Sequence, residues 1–187
     1  MIYLNHFYIY LFFAIAIPKI CLLQPRDKQY FTSNYEDSVL LSQYLIHEFS
    51  SQKIKDSLRI DLYGKTLNSS QVLFTIYDFN KKLLYKKRFP ASLLKDYGNP
   101  IDKEDTSANE VAIKEGFDNF FMTENFFSPA IDPNVEFDNE ISGPNIQVWK
   151  QIQLNRNNIA FIYNGIDEGH IFIVYLKSKK KVIEFNP

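Results

Sequence analysis

The sequence predicts an α+β domain, on three observations. Short apolar runs that alternate with polar residues gather in two places, residues 58–89 and 159–185, each broken by turn residues. Between them lies a stretch of helical periodicity opened by a capping-box pattern. The chain also holds 17 Phe and 12 Tyr among 187 residues and is 45% hydrophobic. Aromatic side chains bury about 150–250 Å² each, enough for a few of them to anchor a small core. The expected architecture is two antiparallel β-meanders forming a sheet, covered by two or three helices. It forms one domain over residues 24–187, preceded by a signal peptide or membrane anchor over residues 1–23.

The elements follow in order. Residues 7–17 read FYIYLFFAIAI and stop at Pro18-Lys19. The apolar core of an export signal spans about 7–15 residues, whereas a membrane-crossing helix needs about 20. The run therefore reads as a signal, with an uncleaved anchor as the alternative. Cys21 is the single cysteine, so no disulfide can close within the chain. Its place just after the apolar run resembles that of the acylated cysteine of bacterial lipoproteins, which makes lipid attachment a variant of the export reading. In residues 36–49, Leu40, Leu41, Tyr44, Leu45 and Phe49 fall three and four apart, the stripe of a helix.

Leu58, Ile60 and Leu62 alternate with Arg59, Asp61 and Tyr63, a strand with one wet face. Residues 72–79 are apolar on both sides and predict a central strand. Asn80-Lys81 turns the chain into a third strand at 83–89, whose Lys86 and Arg88 suit an edge. Residues 91–96 allow a turn or two of helix. The capping box is Ser107-Ala108-Asn109-Glu110, and the helix it opens is expected to reach about Met122. Val111, Ile113, Phe117, Phe120 and Phe121 would supply its apolar surface. Gly116 inside it points to close packing or a kink. Prolines 129, 133 and 144 mark an irregular acidic connection. Residues 146–154 suit either a helix (Ile146, Trp149, Ile152) or a strand (Ile146, Val148, Ile152, Leu154), with the helix preferred, and 159–163, 171–176 and 182–185 read as the second meander.

Charge excludes one class of function. The net charge is −1, and the basic clusters fall on turns and a strand rim, so nucleic acid is not an expected partner. Twelve acidic residues between positions 96 and 140 are opposed only by Lys103 and Lys114, with basic clusters on either side. That pattern suits self-compensation within one fold.

Candidate chemistry is sparse. Zinc needs three or four converging ligands, and with His6 in the leader, His47 and His170 are the histidines left to the domain. His170 with Glu168 is the one candidate acid–base pair, carried by residues that straddle a turn. Calcium takes six to eight oxygens, and Asp102, Glu104 and Asp105 are the candidate run, with Asp132, Glu136, Asp138 and Glu140 a second. Neither has EF-hand spacing. Nucleophile elbows and phosphate-binding glycine loops do not occur in the sequence. Asn68-Ser69-Ser70 matches a glycosylation sequon. The expected cofactor list is empty.

Phe161, Tyr163, Gly165, Glu168, Gly169 and Lys179 to Val182 form a pattern of aromatic, Gly, acidic, Gly, strand and Lys-rich turn. This region, residues 159–185, resembles the C-terminal hairpin of small exported or lipid-anchored bacterial proteins of unknown function. The resemblance implies a location more than an activity. The expected function is a non-catalytic accessory or binding domain of the cell envelope, periplasmic, secreted or membrane-attached through its N-terminus. Its partner would be a protein or another envelope component, met through the acidic middle segment or exposed aromatics. The alternatives are a small envelope hydrolase using His170 with Glu168, and a membrane-anchored subunit of a larger complex.

Overall fold

Eight strands build two four-stranded antiparallel sheets that stack face to face, with one α-helix at the side of the stack and another behind the second sheet. The computed structural model describes residues 38–97, 106–138, 145–165 and 169–185. The apolar run 7–17, Cys21, the acids Asp102, Glu104 and Asp105, and Glu168 lie outside the described residues.

The first sheet has the order β1 (Val39–Ser51), β2 (Ile54–Tyr63), β3 (Gln71–Tyr77), β4 (Leu83–Pro90). Three of these strands are the meander expected from the sequence, with β3 in the interior and β4, bearing Lys86 and Arg88, at the edge. The fourth is a correction. Residues expected to form the first helix are strand β1, paired with β2 from Val39↔Tyr63 to Ser51↔Ile54. The physical reason is an ambiguity of spacing. Positions four apart share a helix face, but they also share a strand face, because four is a multiple of two. Leu41, Leu45 and Phe49 satisfy both templates. The pairing puts them on the inner face with Gln43 and His47, and leaves Ser42, Tyr44 and Ile46 outside.

The second sheet has the order β5 (Phe126–Phe127), β6 (Ala160–Asn164), β7 (His170–Leu176), β8 (Lys181–Phe185). The two meanders therefore form two sheets rather than one. Each recruits its own extra strand, β1 or β5, and the sheets meet through their faces.

Two cores result. Between the sheets, Leu58, Ile60 and Leu62 of β2 and Val72, Phe74 and Ile76 of β3 are fully buried against Phe161, Tyr163 and Ile173. Phe74 is the hub. Its ring centroid lies 5.2 Å from that of Phe120, 5.4 Å from Phe161, 5.6 Å from Tyr85 and 5.8 Å from Tyr163. Edge-on and tilted pairs at this range add attraction beyond area burial. The opposite face of the second sheet buries Ala160, Val174 and Leu176 against Val148, Trp149 and Ile152. Those three belong to helix α2 (Ile146–Leu154), found where the sequence predicted a helix. Asn145 caps it, its side-chain oxygen accepting the Val148 N–H at 3.0 Å.

Helix α1 spans Thr106–Asp118. It begins one residue before Ser107, at Thr106. It also stops short of Met122. Beyond its end the chain turns, and the Asn125 side-chain amide donates to the carbonyls of Phe120 (2.9 Å) and Asn119 (3.4 Å). Ile113, Phe117 and Phe120 join the inter-sheet core as expected, whereas Val111 faces solvent. Gly116 serves close packing. A Cβ there would lie 1.9 Å from the carbonyl oxygen of Leu94, in the 3-10 turn Ala91–Tyr97 that follows β4.

Two buried acids were not anticipated: Asp61, covered on the outer face of β2, and Asp56. Asp56 follows the inward parity of Leu58, Ile60 and Leu62 but holds the end of the β1–β2 hairpin. Its carboxylate accepts the Ser50 N–H at 2.6 Å, the Phe49 N–H at 3.3 Å and the Ser50 hydroxyl at 3.0 Å. The register shifts there, between Glu48 and Ser51, and the bulge's backbone donors need a partner.

Candidate functional site

The densest polar chemistry lies where β4 meets β6 and β8. Tyr85 and Tyr163 point into the inter-sheet core from facing strands, and their hydroxyl oxygens are 2.5 Å apart. Tyr85 donates to Glu184 Oε1 at 2.7 Å, so its oxygen accepts from the Tyr163 hydroxyl. Lys87 Nζ closes the chain, 3.0 and 3.1 Å from the two Glu184 oxygens. Burial, above all, pushes both phenols well above the ordinary tyrosine range. For Tyr85, the neighbouring Tyr163 and then Glu184 push further in the same direction. For Tyr163 the hydrogen bond to Tyr85 pulls back while the Glu184 charge adds. Both hydroxyls are thus held as protonated donors. A phenolate nucleophile or base is the one form this environment penalises, so the cluster works as a polar clamp between sheets.

Sequence reasoning missed this clamp. The available signal was a tyrosine at an inward strand position, Tyr163 beside Phe161. A buried hydroxyl there demands a partner, although nothing local says which.

His170 opens β7 and is exposed. Its Nδ1 lies 2.9 Å from the side-chain oxygen of Asn164, and the Asn164 amide donates to the Leu93 carbonyl at 3.2 Å. The histidine is thereby tied into a bracket between β6, β7 and the 3-10 turn. His47 lies on β1, not on a helix. Its ring stacks on Phe126 with centroids 4.1 Å apart, which joins β1 to β5.

Of the second acidic run, Glu140 lies outside the described residues, and the segment from Asp132 to Val135 wraps a neutral donor. Gln153 Nε2 lies 2.8 Å from the carbonyl oxygen of Val135 and 3.2 Å from those of Asp132 and Pro133. An amide thus holds carbonyls that a cation would otherwise use. Among the described residues, no group of three or more His, Cys, Asp or Glu is placed to hold a metal. In the sequon, the Asn68 amide donates to the Thr106 carbonyl at 3.1 Å, and the buried Ser70 hydroxyl donates to Leu67 at 2.7 Å.

What the fold displays outward is the far face of the first sheet. The strand registers set side chains in rows across it. One row runs Ile46, Ser57, Tyr77, Leu83; the next runs Tyr44, Arg59, Thr75, Lys86. Tyr44 is 72% exposed and Ile46 49%. Arg59 is pinned by its Nε–H to Asp61, at 2.8 Å to Oδ2, and the Ser42 hydroxyl donates to Asp61 Oδ1 at 2.6 Å. Arg88 places its guanidinium 5.9 Å from the Tyr63 ring centroid. Open aromatic and aliphatic side chains beside pinned cations, on a rigid sheet, are the composition of a contact surface.

The fold therefore defines an α+β protein with two stacked antiparallel sheets, one of them open on its outer face. Comparison with protein-family models, curated proteins and solved structures returns no match. Among the described residues, no helix is long and apolar enough to cross a membrane.

Proposed function

We propose that this chain is an exported, non-catalytic accessory or binding domain of a bacterial envelope, and that the open face of the first sheet is its contact surface. The observation that carries the binding half is Tyr44 and Ile46, exposed on a strand whose opposite face is locked into the core. Holding such residues in water gains nothing for folding, and surface anchors of this kind are typical of interfaces. Support for the export half comes from the apolar run 7–17 and the resemblance of the C-terminal hairpin.

Two measurements test it. The mass of the mature N-terminus in fractionated cells should reveal cleavage, acylation or a retained anchor, all outside the cytosol. A photo-crosslinking amino acid at position 44 should give adducts in living cells, while the same group at Lys179 should give few. An intact chain confined to the cytosol, or equal labelling from both positions, would overturn the reading.

A further inference from the structure

The first sheet ends in two hairpin tips side by side. The β1–β2 and β3–β4 turns leave it at the same end, because β2 and β3 are paired neighbours running in opposite directions. Both tips are built alike. The first carries exposed Ile54 between Lys53 and Lys55; the second carries Phe79, 61% exposed, and Leu83, 45% exposed, around Lys81 and Lys82. Ile46 extends the apolar row onto the sheet face.

The turns are stiff. Asp78 Oδ1 accepts the backbone N–H groups of Asn80 and Lys82, each at 2.9 Å, and Asp56 holds the β1–β2 end from within. Phe79 is therefore presented, not flailing. The charge is one-sided. All four lysines are exposed, and among the described residues none has a carboxylate within ion-pair distance. The nearest acids by register and sequence are Glu48, opposite Lys55, and Asp78, whose Oδ1 serves the turn.

An apolar tip ringed by unpaired lysines matches a surface that is greasy within and anionic at its boundary. We infer that the paired hairpin tips dock on an anionic lipid surface, with Phe79, Leu83 and Ile54 entering the headgroup boundary and Lys53, Lys55, Lys81 and Lys82 meeting lipid phosphates. This rests on the binding-domain reading and names the envelope component that one end of the open sheet meets. The lysines draw the tip to the surface within a Debye length, and the apolar side chains hold it there.

The test uses the full chain with Phe79→Trp as a local reporter. Trp149, the one native tryptophan, is fully buried in the second core and gives a constant background. Vesicles of phosphatidylcholine containing phosphatidylglycerol should shift the emission of the introduced indole to the blue and shield it from a soluble quencher. Pure phosphatidylcholine vesicles should not. Replacing the four tip lysines with glutamate should weaken partitioning by about a hundredfold or more. In the unaltered lysine background, 0.5 M salt should weaken it in the same direction, an arm independent of how the variant folds. If the protein sediments with vesicles but the reporter stays unshifted, the N-terminal segment binds and the tip does not, which overturns the inference. An equal shift on neutral and anionic vesicles also overturns it. Either outcome leaves the crosslinking test at position 44 standing on its own.

Discussion

The two sheets have the same size and topology class but opposite relations to water. The first is dry on one side and mixed on the other: Leu58, Ile60 and Leu62 are fully buried inside, while on the outer face Arg59 is exposed, Tyr63 half-buried and Asp61 covered by its partners. The second is dry on both. Phe161 and Tyr163 pack toward the first sheet, and Ala160 and Val174 pack toward Trp149 of α2. A sheet covered on both faces has no face left to offer, and in the proposed reading contact falls to the open one. The second sheet acts as its foundation.

Four substitutions probe this contrast, from the largest expected effect to the smallest. Phe74→Ala removes the ring that joins both sheets and should cost about 3–5 kcal/mol in urea unfolding. The same truncation at Ile152, in the core behind the second sheet, should cost about 2–5 kcal/mol. A Phe74→Ala loss below 1 kcal/mol would mean the sheets are not held through this hub.

Tyr85→Phe comes next. It leaves the buried Tyr163 hydroxyl without its acceptor, a loss of about 1–3 kcal/mol. It also changes the alkaline limb. Both phenols are raised in the folded state, so folding keeps protons that the unfolded chain sheds near pH 10. The clamp's contribution is full below about pH 10 and declines above it. Removing one phenol should flatten that decline by about 1.4 kcal/mol per pH unit. Urea midpoints from pH 8 to 11 would read this, and identical slopes would rule the clamp out.

Tyr44→Ser should be the mildest, within about 0.5 kcal/mol, because the outer face supports little packing. A loss above 1.5 kcal/mol would show that Tyr44 belongs to the core, and the open-face distinction would fail.

Most strands were legible because each is bounded by turn residues and carries an apolar run of strand length. Residues 58–62 showed it most clearly, with apolar and polar residues in strict alternation. Strand β1 was not, because Leu41, Leu45 and Phe49 lie four apart and fit either period. The exposed Tyr44 was the residue that could have decided it, and exposure is not written in a sequence. The Tyr85 clamp was illegible for another reason. Its partners lie 78 and 99 residues away, so only the stacking of the sheets creates it. The hairpin tips fall between these cases. Their turn residues were readable, but their neighbourhood follows from β2 pairing with β3.

At Gly116, the helix meets the turn after β4 through main chain rather than side chains. The atoms nearest an added methyl would be the oxygen and carbon of the Leu94 carbonyl, at 1.9 and 2.7 Å. Rotamers can relieve crowding between side chains, but a peptide plane has nowhere to rotate. Tolerance to change is thus lopsided across this one joint: position 94 could shrink and leave a void, while position 116 accepts only a hydrogen.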